Sequence, residues 1–192
     1  MNYLIVGLGN PGVEYNHTRH NIGWDIIDQL AEEKNCFFKE KFKGVFASFK
    51  NEEDIYYLLK PHTFMNLSGE SVRPLMIFFK IPVENILVVH DELDLNYGVI
   101  AFKDGGGLAG HNGLKSIAQH LSTQSFKRLR LGIGRPTHGD VSSWVLGHYG
   151  ELEESYFCDL KESVTKILNL YINNNFENIM KKYNKKKIIS LE

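Results

Sequence analysis

The chain has 192 residues, of which 43% are hydrophobic and 23% are charged. This length and composition are typical of a globular domain that buries its own core. No apolar run approaches the length needed to cross a bilayer, and no basic segment with a long apolar core opens the chain. Neither a membrane protein nor a signal peptide is therefore expected. The two cysteines, Cys36 and Cys158, lack metal or redox spacing and predict free thiols in the cytoplasm.

The net charge of −1 hides an uneven distribution of charge along the chain. Residues 1–96 carry 9 basic and 14 acidic residues, whereas residues 97–192 carry 13 and 9. The stretch 103–135 contains six basic residues and a single acidic one. Such a stretch on a near-neutral protein predicts contact with a phosphate backbone. The lysines at 181–187 are instead interpreted as part of a solvated, flexible end at 181–192.

Hydrophobic periodicity predicts strands and helices that alternate along the chain. The predicted strands are 2–8, 43–49, 55–60, 86–90, 99–103 and 126–134. The predicted helices are 21–34, 68–80, 112–121, 151–172 and 175–184. A polar loop between the second and third strands predicts a hairpin, which makes the sheet mixed. We therefore expect a single α/β domain over residues 1–192, with a mixed, mostly parallel, twisted sheet flanked by helices.

The loop after the first strand, GLGNPGVEYNHTRHNIG at 7–23, contains the G-x-G-x-x-G spacing of a dinucleotide-binding turn. A helix should then begin within the glycine run. Pro11 instead favours an extended Asn10, and helical periodicity begins only at Trp24. A nucleotide-dependent oxidoreductase is therefore disfavoured, and the loop is interpreted as a carrier of polar side chains.

Three further loops are rich in small, amide and titratable residues. They are PHTFMNLSGE at 61–70, HDELDL at 90–95 and KDGGGLAGHNG at 103–113. HDELDL follows an apolar strand, and open α/β sheets place ligand sites at the carboxyl ends of their strands. Asn112 is a candidate cap for the helix that follows it, and Ser68 a candidate helix start. The alternative for each loop is an ordinary surface turn.

The residue types in the sequence limit the kinds of catalytic site that the chain can form. Histidine spacing does not match known zinc motifs, so no metal site is expected. A phosphate-binding P-loop and a G-x-S-x-G nucleophile elbow are both absent from the sequence. What remains is a histidine base held by a carboxylate, with water as the nucleophile. Sequence spacing does not show which histidine and carboxylate meet.

Five motifs follow one another in the order found in bacterial peptidyl-tRNA hydrolases: GLGNPGVEYNHTRHNIG, P-TFMN-SG, HDELDL, FKDGGGLAGHNGLKSI and FKRLRLGIGRP. The chain resembles that family over at least residues 3–136, and WVLG at 144–147 extends the similarity. The resemblance implies hydrolysis of the ester that joins a peptide to the 3′ CCA end of tRNA. It also implies a monomer that contacts the acceptor stem, needs no metal or cofactor, and binds neither DNA nor membrane.

The resemblance implies a role for each matching position. His20 resembles the base that activates water, and Asp91 its orienting partner. Asn10 and Asn112 resemble the amides that place peptide and water. The positions that resemble contacts with the peptide or the 3′ end are Tyr15, Phe64 and Asn66. Those that resemble contacts with tRNA phosphate are Lys103 and Arg130, and His111 resembles a substrate- or tRNA-binding position.

The sequence departs from the family pattern in one loop. Leu108 and Ala109 stand where the family commonly has His and Gly, which bears on the mobility of the loop rather than on the chemistry. The main alternative function is a non-catalytic RNA-binding protein on the same fold. The retained His20 and Asp91, together with both asparagines, favour the enzyme.

Overall fold

The computed structural model describes residues 1–191, and a mixed sheet forms its centre. Eight strands form the sheet within this range: β1 Asn2–Gly7, β2 Lys39–Lys41, β3 Gly44–Asn51, β4 Asp54–Pro61, β5 Ile86–Glu92, β6 Val99–Asp104, β7 Lys127–Gly132 and β8 Lys186–Lys187. They lie in the order β2-β3-β4-β1-β5-β7-β6-β8. The central pairs β4–β1, β1–β5 and β5–β7 are parallel, and the outer pairs are antiparallel. The predicted mixed α/β sheet is confirmed.

Helices cover both faces of this sheet. They are α1 Ile22–Glu33, α2 Gly69–Phe78, α3 Asn112–Leu121, α4 Val141–Val145, α5 Glu151–Ser155, α6 Phe157–Asn173 and α7 Phe176–Lys182. Side chains that alternate along β1 enter opposite cores: Ile5 packs with α1 and α6, whereas Leu4 and Val6 pack with α2 and α3. The central strands are buried on both faces, which explains their continuous apolar runs.

The helix and the strand that carry the first loop pack very closely. A Cβ atom on Gly7 would lie 2.3 Å from the carbonyl oxygen of Gly23, so only glycine allows this approach of β1 to α1. Residues 13–15 form one turn of 3₁₀ helix, and α1 begins only at Ile22. No α-helix therefore starts in the glycine run, which removes the anion site that a dinucleotide needs.

Several predicted boundaries are wrong. Strand β5 continues to Glu92, so HDE belongs to the strand rather than to a loop. The helix predicted at 151–172 is divided at Tyr156 into α5 and α6. The short elements β2, β8 and α4 were not predicted.

The C-terminal segment is attached to the sheet. Lys186 and Lys187 pair with β6, and the N–H groups of Ile188 and Ile189 donate to the carbonyl oxygen of Gly98. The backbone here is therefore not a free tail. The lysine side chains from 181 to 187 are exposed, as expected of a solvated surface. Within residues 1–191, no helix combines the length and apolar character that a bilayer crossing requires.

Candidate active site

A cleft of about 540 Å³ opens beside the carboxyl ends of the central parallel strands. Most of the residues singled out in the sequence line it: Asn10, His20, Phe64, Asn66, Asp91, Lys103, His111, Asn112 and Arg130. Tyr15 does not line this cleft, and it lies half-buried in the 3₁₀ turn at 13–15. The fold thus brings together side chains from five separate segments of the chain.

His20 and Asp91 are in direct contact. Nδ1 of His20 lies 2.8 Å from Oδ1 of Asp91, and Nε2 of His111 lies 2.9 Å from the same oxygen. Asp91 is 3% exposed and follows the buried His90 near the carboxyl end of β5, which ends at Glu92. A buried carboxylate that accepts two N–H groups is fixed in position and holds both imidazole rings.

The hydrogen bonds fix the tautomers of the two histidines. Nδ1 of His111 accepts from the N–H groups of Gly113 and Leu114, so its proton resides on Nε2 and points at Asp91. Nδ1–H of His20 also points at Asp91, so Nε2 of His20 carries the lone pair. The His20 side chain retains 12% exposure, which leaves this nitrogen accessible from the cleft.

The contact between His20 and Asp91 shifts the pKa values of both side chains. Burial lowers the pKa of His20, but the charge of Asp91 and its hydrogen bond outweigh burial and raise the pKa above its usual value. Burial favours a raised pKa for Asp91, but the charges and hydrogen bonds of His20 and His111 hold its pKa well below the usual range. Asp91 therefore stays ionised while His20 takes up a proton.

His90 lies next to this pair but differs from it. Burial, followed by the nearby His111, lowers the pKa of His90 well below its usual value, so the ring is neutral. Its Nδ1 donates to the carbonyl oxygen of Asp91 at 2.7 Å. His90 therefore supports the backbone of Asp91 rather than exchanging protons.

Asn10 is held in a fixed orientation. Its side-chain oxygen accepts from the N–H of Met65 at 2.7 Å, while its backbone N–H and C=O bond the side chain of Asn21. Because the oxygen of the amide is occupied, the NH₂ group of Asn10 is the part that remains to donate to a ligand.

The glycine-rich loop ends at α3 in an unexpected way. The residue that caps α3 is His111, whose ring accepts two backbone N–H groups, and Asn112 is the first helical residue. The prediction that Asn112 caps the helix is wrong, because the imidazole anchored on Asp91 occupies that role. Asn112, Asn66 and Phe64 are exposed to the cleft. Ser68 does precede α2, although its hydroxyl donates to the carbonyl of Met65.

The basic residues of 103–135 have different environments. Arg130 pairs with the buried Glu92 at 2.8 Å, and Lys103 lies on the rim with its ammonium 3.4 Å from the carbonyl oxygen of Gly107. Burial, then Arg128 and Arg130, lowers the pKa of Lys103. Lys103 is thus the more available cation of the predicted pair.

Arg128 is a functional candidate that the sequence analysis did not single out. It is 2% exposed, and its guanidinium donates to the carbonyl oxygens of Gly105, Gly106 and Gly107. This contact fixes the start of the glycine loop. The alternation in KRLRLG offered a signal, because it places Arg128 and Arg130 on one face of β7.

The side chains of His20, Asp91 and His111 are of metal-ligating types and converge within 4.8 Å. The two N–H donors that share Oδ1 of Asp91 account for this convergence, since both distances are those of hydrogen bonds. Hydrogen bonds alone thus explain why these three side chains converge.

Comparison with known proteins identifies the family. The family model described as Peptidyl-tRNA hydrolase matches residues 4–190. Peptidyl-tRNA hydrolase of Shouchella clausii is 43% identical over 183 residues, covering 94% of this chain and 99% of the relative. That of Bacillus cereus is 48% identical over 187 residues, covering 94% and 98%. A crystal structure of peptidyl-tRNA hydrolase from Acinetobacter baumannii superposes with a TM-score of 0.89 at 41% identity, covering 97% of this chain and 96% of that one. The chain belongs to the peptidyl-tRNA hydrolase family.

Proposed function

We propose that the chain hydrolyses the ester bond between peptide and tRNA in peptidyl-tRNA, with His20 as the base that activates water. The observation that carries the proposal is the bond between Nδ1 of His20 and Asp91, which leaves Nε2 of His20 free in the cleft. Membership of the peptidyl-tRNA hydrolase family supports the substrate class.

The reaction requires one proton to move twice. Nε2 of His20 takes a proton from water as the oxygen of that water attacks the ester carbonyl. The ionised Asp91 stabilises the imidazolium that forms. When the tetrahedral intermediate collapses, the imidazolium returns the proton to the 3′ oxygen of the tRNA, which leaves as a free hydroxyl.

The amides supply placement and charge stabilisation. The NH₂ group of Asn10 donates to the peptide or to the developing oxyanion, because its oxygen is already bonded to Met65. Asn112 places the peptide and water from the first turn of α3. Phe64, Asn66 and, outside the cleft lining, Tyr15 contact the peptide or the 3′ end.

The basic residues of the cleft rim make the contacts with the tRNA backbone. Lys103 and Arg130 meet phosphates of the CCA end and acceptor stem, and the other basic residues of 103–135 add to the attraction. We infer a monomer that acts in the cytoplasm, where its substrate is produced.

The test is release of the blocked amino acid from N-acetyl-aminoacyl-tRNA, compared with release from aminoacyl-tRNA carrying a free amine. We expect the blocked substrate to react much faster, since a free ammonium enters a site built for amide hydrogen bonds without a matching partner. His20→Ala should lose about 10²–10⁴-fold in rate. His138→Ala is the matched control, because His138 is exposed and outside the cleft lining.

The outcome also separates the enzyme from a non-catalytic RNA-binding protein. A binding protein would retain tRNA without releasing the acyl group. Equal cleavage of both substrates, or undiminished cleavage by His20→Ala, would contradict the proposed chemistry.

A further inference from the structure

Arg19, the residue before His20, has a buried guanidinium that contacts one distant segment. The group lies over the ring of Trp144 at 3.7 Å from its centre and donates to the carbonyl oxygen of His148. It also pairs with Glu153 at 2.9 Å. Arginine stacks on an aromatic face and forms directed hydrogen bonds at the same time, which lysine does not. Arg19 therefore joins the turn that carries His20 to residues 144–153.

The backbone of the same turn contacts the same distant segment as the Arg19 side chain. The N–H of Arg19 donates to the carbonyl oxygen of Gly147 at 3.0 Å, and Thr18 forms an isolated β-bridge with His148. Glu153 is itself fixed, since its carboxylate accepts from the N–H of Gly150 and its carbonyl from the hydroxyl of Tyr97. The guanidinium thus closes a contact between two segments that are about 130 residues apart in the chain.

The joined segment forms one wall of the cleft. Val141, Val145 and Leu146 line the cavity, and Val141 and Leu146 remain 41% and 38% exposed. Apart from Ser142, this wall is apolar, whereas the rim that carries Lys103 and Arg130 is basic. Apolar side chains suit a peptide rather than phosphate. The position of α4 relative to His20 therefore sets the space available to the peptide part of the substrate.

We propose that Arg19 is a positioning residue that fixes the apolar wall of α4 against the His20 turn and thereby sets how well longer peptides bind. The inference rests on the proposed function and adds a specificity role for the peptide side of the cleft. Arg19 itself lies outside the cleft lining and acts through Trp144.

The experiment compares two esters of the same short 3′ fragment, one carrying N-acetyl-alanine and the other an N-acetylated tetrapeptide with apolar side chains. KM and kcat are measured for wild type, Arg19→Lys, Trp144→Leu and the double variant. Arg73→Lys on α2 is the matched control, because Arg73 is exposed and does not line the cleft. Thermal unfolding checks that each variant is folded at the assay temperature, and Trp144→Leu carries the test if Arg19→Lys does not fold.

We expect each single variant to raise KM for the tetrapeptide ester by about threefold to tenfold, the range of one cation–π contact. KM for N-acetyl-alanine should hardly change, and the double variant should be no worse than the worse single variant, since both remove one contact. Equal increases in KM for both esters, additive effects or a loss confined to kcat would overturn the role of Arg19. An inactive wild type would instead refute the proposed function. That function is tested separately by comparing ester hydrolysis by wild type and Arg73→Lys with hydrolysis by His20→Ala.

Discussion

Replacement of Asp91 by Asn tests the proposed base most directly, because it keeps the shape of the side chain and removes its charge. Oδ1 of Asp91 accepts from His20 at 2.8 Å and from His111 at 2.9 Å. Unit charges about 4 Å apart attract by about 4 kcal/mol at an effective dielectric constant near 20. The imidazolium of the transition state loses that attraction, and the amide also favours the wrong tautomer of His20. A loss of about 3–5 kcal/mol lowers kcat by about 10²–10⁴-fold.

The pH dependence adds a second, independent measurement. The ionised Asp91 raises the pKa of His20 against the effect of burial. In the Asn variant only burial remains, so the pKa falls and the acid limb of kcat/KM moves to lower pH. The assay is acyl release from N-acetyl-aminoacyl-tRNA across the acid limb. Asp94→Asn is the control, since Asp94 lies three residues after Asp91, beyond the end of β5, with a side chain 52% exposed. A near-normal rate with an unmoved acid limb would refute the base assignment.

Two further predictions concern binding and stability. Lys103→Ala should weaken binding of full-length tRNA and reduce the slope of log affinity against log salt concentration by about 0.7–0.9. An ester of a short 3′ fragment should be affected less, and Lys166→Ala is the control. Equal effects on both substrates would mean that Lys103 takes part in the chemical step. Burial, opposed by His17, raises the pKa of Asp25 to about 6, so its contribution to stability is present below about pH 4 and is lost as pH rises through 6. Asp25→Asn should therefore gain up to about 3 kcal/mol in free energy of unfolding relative to wild type between about pH 4 and pH 7.5, and urea titrations giving the same difference at both pH values would contradict the buried charge.

The central fold was predictable because burial leaves a pattern in the sequence. Strand β5 is apolar from Ile86 to Val89 and buried throughout, and the periodicity of α1 matches the face that meets the sheet. Short edge elements leave no such pattern. Strand β8 consists of Lys186 and Lys187, which form a strand only because β6 lies beside them. Helix α4 has five residues, too few for isolated helix formation, and depends on tertiary contacts.

The residue types of the candidate site were predictable from the sequence, but their hydrogen-bond and ion-pair partners were not. His20 and Asp91 are 71 residues apart, and the packing of a second 3₁₀ turn, Arg19–Asn21, against β5 brings them together. Sequence rules favour Asn over His as a helix cap, so the role of His111 was missed. The ion pair of Arg130 with Glu92 was likewise missed, because strand pairing aligns β5 and β7 in a register that the sequence does not reveal.

The double role of His111 leads to a final prediction in which stability and chemistry separate. Its Nδ1 caps α3 and its Nε2–H competes with His20 for Oδ1 of Asp91. His111→Asn keeps a good capping residue but removes the competing donor, whereas His111→Ala removes both. We expect the Ala variant to be less stable than the Asn variant by about 1 kcal/mol.

In both variants the carboxylate of Asp91 no longer accepts a hydrogen bond from residue 111, so it interacts more strongly with His20. The pKa of His20 should therefore rise further, and the acid limb of kcat/KM should move to higher pH. This shift is opposite in direction to that expected for Asp91→Asn. Stability is measured by urea unfolding and the limb by acyl release across pH, with His120→Asn on α3 as the control for a histidine that contacts Ser116 instead of Asp91. If the limb of His111→Asn stays in place or moves to lower pH, His111 serves the helix alone and does not tune the base.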